Sequence, residues 1–347
     1  MKILLDCERM KYPNTGLYEY CNQLGLALQR VVKKDHLSFY LPENVQDIFG
    51  KDAERVIQKS LHKLFIPRFD ADIWHITYQN TGYMKGNKKV KKVLTIHDLN
   101  FLYEKTDPQK IQKNLRKVQQ NIDRADHLVA ISNYAKNDVL KHLDTHNKPF
   151  DVIYNGVHVT EPENYTDPSY KPQKEFLFSI GTVLPKKNFH VLPALLRGND
   201  YELIIAGKSD KGYADKIMEM AKQYDVADRV HLPGPISYED KCWYLKNCKA
   251  FMFPSIAEGF GIPVIEAMHF GKPVFLSTRT SLPEVGGKYA YYFDNFEPDY
   301  MQQVFEKGRE DYDTNNRTSD IVKHALAFNW DKAASEYYEV YKSVINR

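Results

Sequence analysis

Lys249–Ser277, KAFMFPSIAEGFGIPVIEAMHFGKPVFLS, is the stretch whose reading decides the fold. Ala250–Phe253 is a short apolar run closed by Pro254, which predicts a buried strand rather than a helix. A polar loop follows, Ser255–Ile262, carrying Glu258, Gly259 and Gly261. Pro263 stands where a first helical residue belongs, with Gly271 just past the expected helix end and Pro273 beyond it. Val274–Leu276 predicts the next strand. The sum is one β-loop-α-β unit, in which ligands lie outside the carboxyl ends of the strands. A helix start also exposes unpaired N–H groups and a partial positive charge, which suit a phosphate.

Glu258 and Glu266 are seven residues apart, one in the loop and one about a turn into the helix. Helical side chains lean back toward the N-terminus, so both carboxylates can flank a ligand lodged at the helix start. Carboxylates accept hydrogen bonds from hydroxyl pairs, so a sugar on one side and a ribose on the other would fit. Taken singly, Glu266 also reads as a complement to the helix dipole and Glu258 as a solvated loop residue.

PSIAEGFGIPVIEAMHFGKPV resembles the E-x7-E element of the retaining glycosyltransferases of family 4. The resemblance implies a GT-B fold: α/β, with two Rossmann-like domains facing each other across a deep cleft. It also implies a C-terminal helix that crosses back to the N-terminal domain.

A chain of 347 residues suits two domains of ordinary size. Formal charge is +3, so nothing demands nucleic acid. The first 170 residues hold about four more basic than acidic side chains, which suits an anionic partner near that half. Cys7, Cys21, Cys242 and Cys248 have neither zinc spacing nor a disulfide framework and suggest a reducing compartment. MKILLDCERM turns charged too soon for a signal peptide, and no apolar run has the length of a membrane span. The expectation is a cytoplasmic protein that can touch the inner face of a membrane.

Taken in order, Lys2–Asp6 predicts a first buried strand, and a polar loop from Glu8 to Gly16 leads into a helical pattern over Leu17–Val31. The dinucleotide fingerprint G-x-G-x-x-G is absent. Relatives in the family carry a Gly-Gly pair in this loop; here it is Thr15-Gly16. Gly16 reads as a donor approach point or as a plain turn residue. Asp70 and Asp72 precede the strand-like IWHIT and so sit at the wrong end of a parallel sheet for a metal site. Lys85–Lys92, KGNKKVKK, reads as a solvated face or as a contact for anionic lipid headgroups. His97 follows the strand Val93–Ile96, and VLTIHDLNFL resembles the family's His-Asp element, whose His contacts the transferred sugar. Ser132 predicts the N-cap of a helix. IYNGVHV, 153–159, resembles the family's last N-domain strand and turn.

Thr160–Lys174 holds Pro162, Pro168 and Pro172 and reads as a linker. The expected division is 1–165 for an N-terminal acceptor domain, 174–325 for a nucleotide-sugar domain, and 326–347 for the returning helix. In the second domain, Gly181 ends a strand and Lys186-Lys187-Asn188 precede a helix, an arrangement suited to a diphosphate. The family element here is G-x4-R/K-K-N, and the resemblance makes Lys187 the residue that neutralises the leaving diphosphate. Many relatives have Arg where this chain has Thr182; Lys186 is the candidate replacement. RVHLPGPI resembles the segment whose backbone reads the base, at Ile236. Glu284 is a candidate loop organiser.

The activity implied by the resemblance is retaining, metal-independent transfer of a hexosyl group from a GDP- or UDP-linked sugar to a saccharide or lipid-linked saccharide. Bacterial surface polysaccharide or lipopolysaccharide assembly is the associated process. The implied catalytic residues are His97, Lys187 and Glu258. The implied donor contacts are Gly16, Gly181, Thr182, Lys186, Ile236, Gly259, Phe260, Gly261, Ile262 and Glu266. No cofactor or metal is expected. The alternatives are a non-catalytic nucleotide-sugar binder and another GT-B enzyme such as a nucleotide-sugar epimerase.

Overall fold

The computed structural model describes residues 1–347 except Asn14, Gln46 and Lys105. The chain divides into two compact units: Met1–Gly156 with Asn329–Arg347, and Val157–Phe328. No helix among the described residues is long and apolar enough to cross a membrane.

Unit 1 runs β1 (Lys2–Asp6), α1 (Gly16–Val31), β2 (His36–Pro42), β3 (Glu54–Gln58), β4 (Ile73–Ile76) and β5 (Lys91–Ile96). It continues with α2 (Phe101–Glu104), α3 (Pro108–Arg124), β6 (His127–Ala130), α4 (Asn133–His142) and β7 (Phe150–Val152). The seven strands form one parallel sheet in the order β3-β2-β1-β4-β5-β6-β7. Strands buried on both faces must be apolar throughout, which is why ILL of β1 and IWHI of β4 are fully buried. The order reverses between β1 and β4, so the crevice of this unit lies beyond their carboxyl ends.

Unit 2 runs β8 (Phe176–Ile180), β9 (Glu202–Ala206), α5 (Lys211–Gln223), β10 (Val230–Gly234), α6 (Tyr238–Asn247), β11 (Ala250–Phe253), α7 (Ile262–His269) and β12 (Val274–Ser277). Then follow α8 (Leu282–Gly286), β13 (Tyr291–Phe293), α9 (Pro298–Thr314) and α10 (Thr318–Leu326). Its six strands are also all parallel, ordered β10-β9-β8-β11-β12-β13, with the reversal between β8 and β11.

The last helix, α11 (Trp330–Ile345), packs on α1 in unit 1. Buried polar contacts hold it there. Tyr337 Oη lies 2.7 Å from Tyr20 Oη and 3.0 Å from Thr95 Oγ1. His75 bonds Tyr341 Oη through Nδ1 at 2.6 Å and Thr95 Oγ1 through Nε2 at 2.8 Å. All five side chains are buried, and each finds a partner, as polar groups in a core must.

Three expectations are corrected. Residues 153–159 form no strand; the last strand of unit 1 is Phe150–Val152, whose residues pair with β6. Thr160–Lys174 is a strap on unit 2 rather than a free linker. Tyr170 Oη donates to Glu202 Oε2 at 2.6 Å, and Thr160 N donates to Tyr238 Oη at 2.9 Å. The units part at Gly156, ahead of the prolines. The Lys85–Lys92 run is not one solvated face. Lys92 is buried with Nζ on the carbonyls of Asn87 and Val90, and Lys91 pairs with Asp126, leaving Lys85, Lys88 and Lys89 exposed.

Candidate active site

The loops after β8 and β11 meet at the strand reversal of unit 2. Gly181 leaves β8 with φ of 154°, and its N–H donates to Ala206 O of β9. A Cβ on the neighbouring Gly207 would stand 2.0 Å from Gly181 O, so only glycine permits this approach. Pro185–Lys187 forms one 3-10 turn, Asn188 takes the left-handed conformation with φ of 57°, and a second 3-10 stretch runs Phe189–Leu196. That turn aims Lys187 back toward β11.

Lys187 Nζ lies 2.5 Å from Glu258 Oε1, and both side chains are nearly buried. Nζ also sits 4.7 Å above the Phe253 ring. Ser255 Oγ donates to the same Glu258 oxygen at 2.5 Å, and the Glu258 N–H is held by Thr280 Oγ1 at 3.0 Å. The two loops are stitched by backbone as well: Lys186 O accepts from Ile256 N at 2.8 Å. Thr182 is exposed on the first loop, beside the half-buried Gly181.

Gly259, Phe260, Gly261 and Ile262 form the entry to α7. Gly261 caps the helix at φ of 105°, where a side chain would be strained, and a Cβ would also press to 3.0 Å from Leu282 Cδ2. Ser281 Oγ donates to the carbonyls of Glu258 and Phe260, which fixes the loop from the α8 side. On α7, Glu266 Oε1 accepts from Lys241 Nζ of α6 at 2.7 Å, and Lys241 lies over its own neighbour Tyr238. Ile236 is half-buried two residues beyond the end of β10, next to Ser237, which caps α6. Glu266 and Ile236 thus lie with α6, while Lys187 and Glu258 lie together at the strand reversal. Lys241 was not anticipated; its spacing of four residues from the Ser237 cap gives no hint of a partner on another helix.

In unit 1, His97 follows β5 and is buried. Its Nε2 lies 2.8 Å from Thr77 O, an atom that only accepts, so Nε2 carries the proton and Nδ1 is left as an acceptor. Burial pushes its pKa down to about 4, which keeps the ring neutral near pH 7. Tyr20 packs edge-on against it at 4.6 Å. Gly16 is the exposed first residue of α1, capped by Thr15, and open space surrounds its missing Cβ. Beyond β1 the chain places Glu8, Arg9 and Lys11, a group the sequence reading passed over. Lys11 pairs with the buried Glu8, and the Arg9 guanidinium stacks over Tyr12 and Tyr78 at 4.7 and 4.5 Å. Asp6, at the strand end, is pushed up to about 7 by burial. The signal available was position: ERMK directly follows the carboxyl end of the first strand. Asp70 and Asp72, by contrast, bind Lys2 at the opposite end of the sheet.

Solved structures with this arrangement include sucrose-phosphate synthase from Thermosynechococcus elongatus, with a TM-score of 0.77 and 17% identity over 100% of this chain and 99% of that one. Anabaena HepE, solved in complex with UDP and glucose, superposes with a TM-score of 0.70 and 16% identity over 99% of this chain and 100% of its own. The fold is that of the GT-B glycosyltransferases. A model of glycosyl transferases group 1 matches residues 163–324, and one of glycosyltransferase family 4 matches residues 48–161. The chain belongs to the family 4 (group 1) glycosyltransferases. Among curated relatives, O-antigen chain mannosyltransferase B of Escherichia coli is 25% identical over 99% of this chain and 100% of its own length. The serotype-specific mannosyltransferase WbdA of Escherichia coli is 28% identical over 70% of this chain, which spans only 32% of WbdA.

Proposed function

We propose that this glycosyltransferase moves a hexosyl group from a nucleotide diphosphate sugar, GDP- or UDP-linked, to a hydroxyl of a saccharide or lipid-linked saccharide, with retention at the anomeric carbon. The observation that carries the reading is the Lys187–Glu258 pair, held by two stitched loops at the strand reversal of unit 2. The bond from anomeric carbon to phosphate oxygen must break with its electron pair leaving on the diphosphate. Lys187, Lys186 and the N–H dipoles of Gly259–Ile262 stabilise that charge in place, which needs no metal ion. Gly181 and Thr182 leave room for the phosphates, Glu258 orients sugar hydroxyls, Glu266 takes the ribose, and Ile236 borders the base. The acceptor oxygen forms the new bond on the face the diphosphate leaves, and its proton passes to the departing phosphate oxygen. His97, neutral with Nδ1 open as an acceptor, steadies a hydroxyl of the transferred sugar, and Gly16 lets donor or acceptor approach the backbone.

The two curated relatives named above are an O-antigen chain mannosyltransferase and a serotype-specific mannosyltransferase, so mannose is the first sugar to test and surface-polysaccharide assembly at the inner face of the cytoplasmic membrane is the setting proposed. The exposed Lys85, Lys88 and Lys89 suit anionic lipid there. The test is a donor panel that includes GDP-mannose and UDP-glucose, with EDTA, a mannoside acceptor and nuclear magnetic resonance of the product. An α-linked product from an α-linked donor is the expected outcome; an inverted linkage, or dependence on added metal, contradicts the proposal.

A further inference from the structure

Lys241 and Glu266 join the starts of two helices in unit 2. α6 follows Ile236 and its Ser237 cap, the segment that borders the base in the reading above. α7 opens at Ile262, at the end of the loop assigned there to the diphosphate. In a nucleotide, the ribose is what joins base to diphosphate. Lys241, early on α6, and Glu266, early on α7, meet with Nζ 2.7 Å from Oε1. Both side chains are largely buried, 20% and 12% exposed.

Stability alone gives this pair little reason to exist. A cation so near a helix start meets the positive end of the dipole. A largely buried ion pair regains little beyond its own desolvation cost. Lys241 is nonetheless held from a second side, its Nζ 4.8 Å above the Tyr238 ring. That ring is itself fixed, because Tyr238 Oη accepts from Thr160 N–H at 2.9 Å. The ammonium is thus locked in position.

The pair also has bonding capacity to spare. Glu266 Oε1 is taken by Lys241, while among the described residues Oε2 accepts no hydrogen bond and is not sealed from solvent. An ammonium carries three protons, and Lys241 uses one on Glu266, which leaves two. Acceptor and donor therefore stand side by side with no net charge. Such a couple is a poor site for a phosphate. It suits vicinal hydroxyls, each of which both donates and accepts.

We infer that Lys241 reads the ribose together with Glu266: Oε2 accepts from one of the 2′ and 3′ hydroxyls, and Nζ donates to the other. The inference rests on the reading of unit 2 as the donor site and deepens it, since Glu266 alone was assigned to the ribose there. Lys241 then sets specificity for a ribonucleotide donor and takes no part in the bond that breaks.

The experiment is calorimetric titration of the full chain, in EDTA, with UDP, GDP and ADP. The tightest binder is then compared with its 2′-deoxy and 3′-deoxy forms. Wild type should bind each deoxy form roughly 10- to 100-fold more weakly, as loss of a hydrogen bond to a charged group does. In Lys241→Met the ribonucleotide should weaken by a similar factor, and one of the two deoxy penalties should vanish because that hydroxyl has lost its partner. Lys241→Arg, which keeps the charge and its donors, should keep both penalties. In turnover, Lys241→Met should raise KM for the donor and leave kcat unchanged, the mark of lost uniform binding. A pair that merely ties α6 to α7 would lower Tm in Lys241→Met with both penalties intact, and that result overturns the inference. So does a wild type indifferent to either hydroxyl, a result that needs no variant to fold and leaves the donor reading standing. Failure of all three ribonucleotides to bind would overturn the donor reading and this inference with it.

Discussion

Unit 1 and unit 2 each reverse strand order once, between β1 and β4 and between β8 and β11, yet the two reversals are equipped differently. In unit 2 the charges come in pairs: Lys187 with Glu258 between two loops, and Lys241 with Glu266 between two helices. In unit 1 the loop after β1 carries Glu8 shared between Lys11 and Arg9, and beyond it lies a hollow lined by cations, Lys113, Arg116, Lys117 and Arg124 of α3 among them. The balanced site joins residues far apart in sequence, Lys187 to Glu258 and Lys241 to Glu266, and the unbalanced one is assembled from three separated segments. A balanced pair costs little to hold before a ligand comes, and it pre-sets both side chains for a donor that is part anion and part polyol. Gathered cations suit a larger anionic partner instead.

The largest expected effect attacks the balanced site. Lys187→Ala should lower the rate of transfer about 10²–10³-fold, as removing one preorganised charge does, with little effect on kcat from Lys→Ala changes in the unit 1 cavity when the acceptor is water-soluble. Kinetics with a saturating soluble acceptor check this; equal losses at both places would dissolve the distinction between the units. The pairing itself shows in stability. Glu258→Ala leaves a nearly buried ammonium without its carboxylate and should cost about 1–3 kcal/mol, while Lys187→Ala/Glu258→Ala should cost less than the two single changes added. Additive costs in chemical denaturation would mean that the pair does not interact.

Unit 1 should lose stability in acid. Burial holds His97 near 4 and His75 near 3, both below the ordinary 6.5, so the unfolded chain binds their protons first. The stability they contribute is full above about 6.5 and is lost as pH falls toward the folded values. Asp6 acts oppositely: raised to about 7, it favours the fold below 3.8 and loses that as pH rises through 7. Two histidines outweigh one aspartate, so unit 1 should lose a few kcal/mol between pH 6.5 and 4. His97→Gln should flatten that decline, which denaturation at stepped pH can check. Smaller still, Tyr341→Phe removes the partner of His75 Nδ1 and should cost about 1–3 kcal/mol without altering kcat. A matching loss of activity would tie the α11 anchor to catalysis rather than to the fold of unit 1.

What the sequence disclosed follows the same division. The unit around Glu258 was legible to within a residue, with Ala250–Phe253 a strand, the helix starting at Ile262 rather than Pro263 and the next strand ending at Ser277 rather than Leu276, because glycine, proline and apolar runs act locally. Lys187 and Glu258 were named separately, and the fold brings them to 2.5 Å. Lys241 was missed because its partner lies on another helix, and no short-range pattern encodes such a pairing. The cations of α3 were passed over for Lys85–Lys92, whose density in sequence hid that Lys92 is spent on carbonyls indoors. Likewise the proline-bearing strap looked like a linker, since nothing in its composition shows that Tyr170 finds Glu202.

The most direct test of the account is thermal denaturation with UDP, GDP and ADP in EDTA, comparing wild type with Lys187→Ala and with Lys113→Glu/Arg116→Glu/Lys117→Glu on α3. A ligand that binds only the folded state must raise Tm. The account predicts a rise with one diphosphate that persists in EDTA, survives charge reversal on α3 and disappears in Lys187→Ala. A rise retained in Lys187→Ala, one abolished by EDTA, or none with any nucleotide would contradict the claim that the strand reversal of unit 2 is a metal-free donor site.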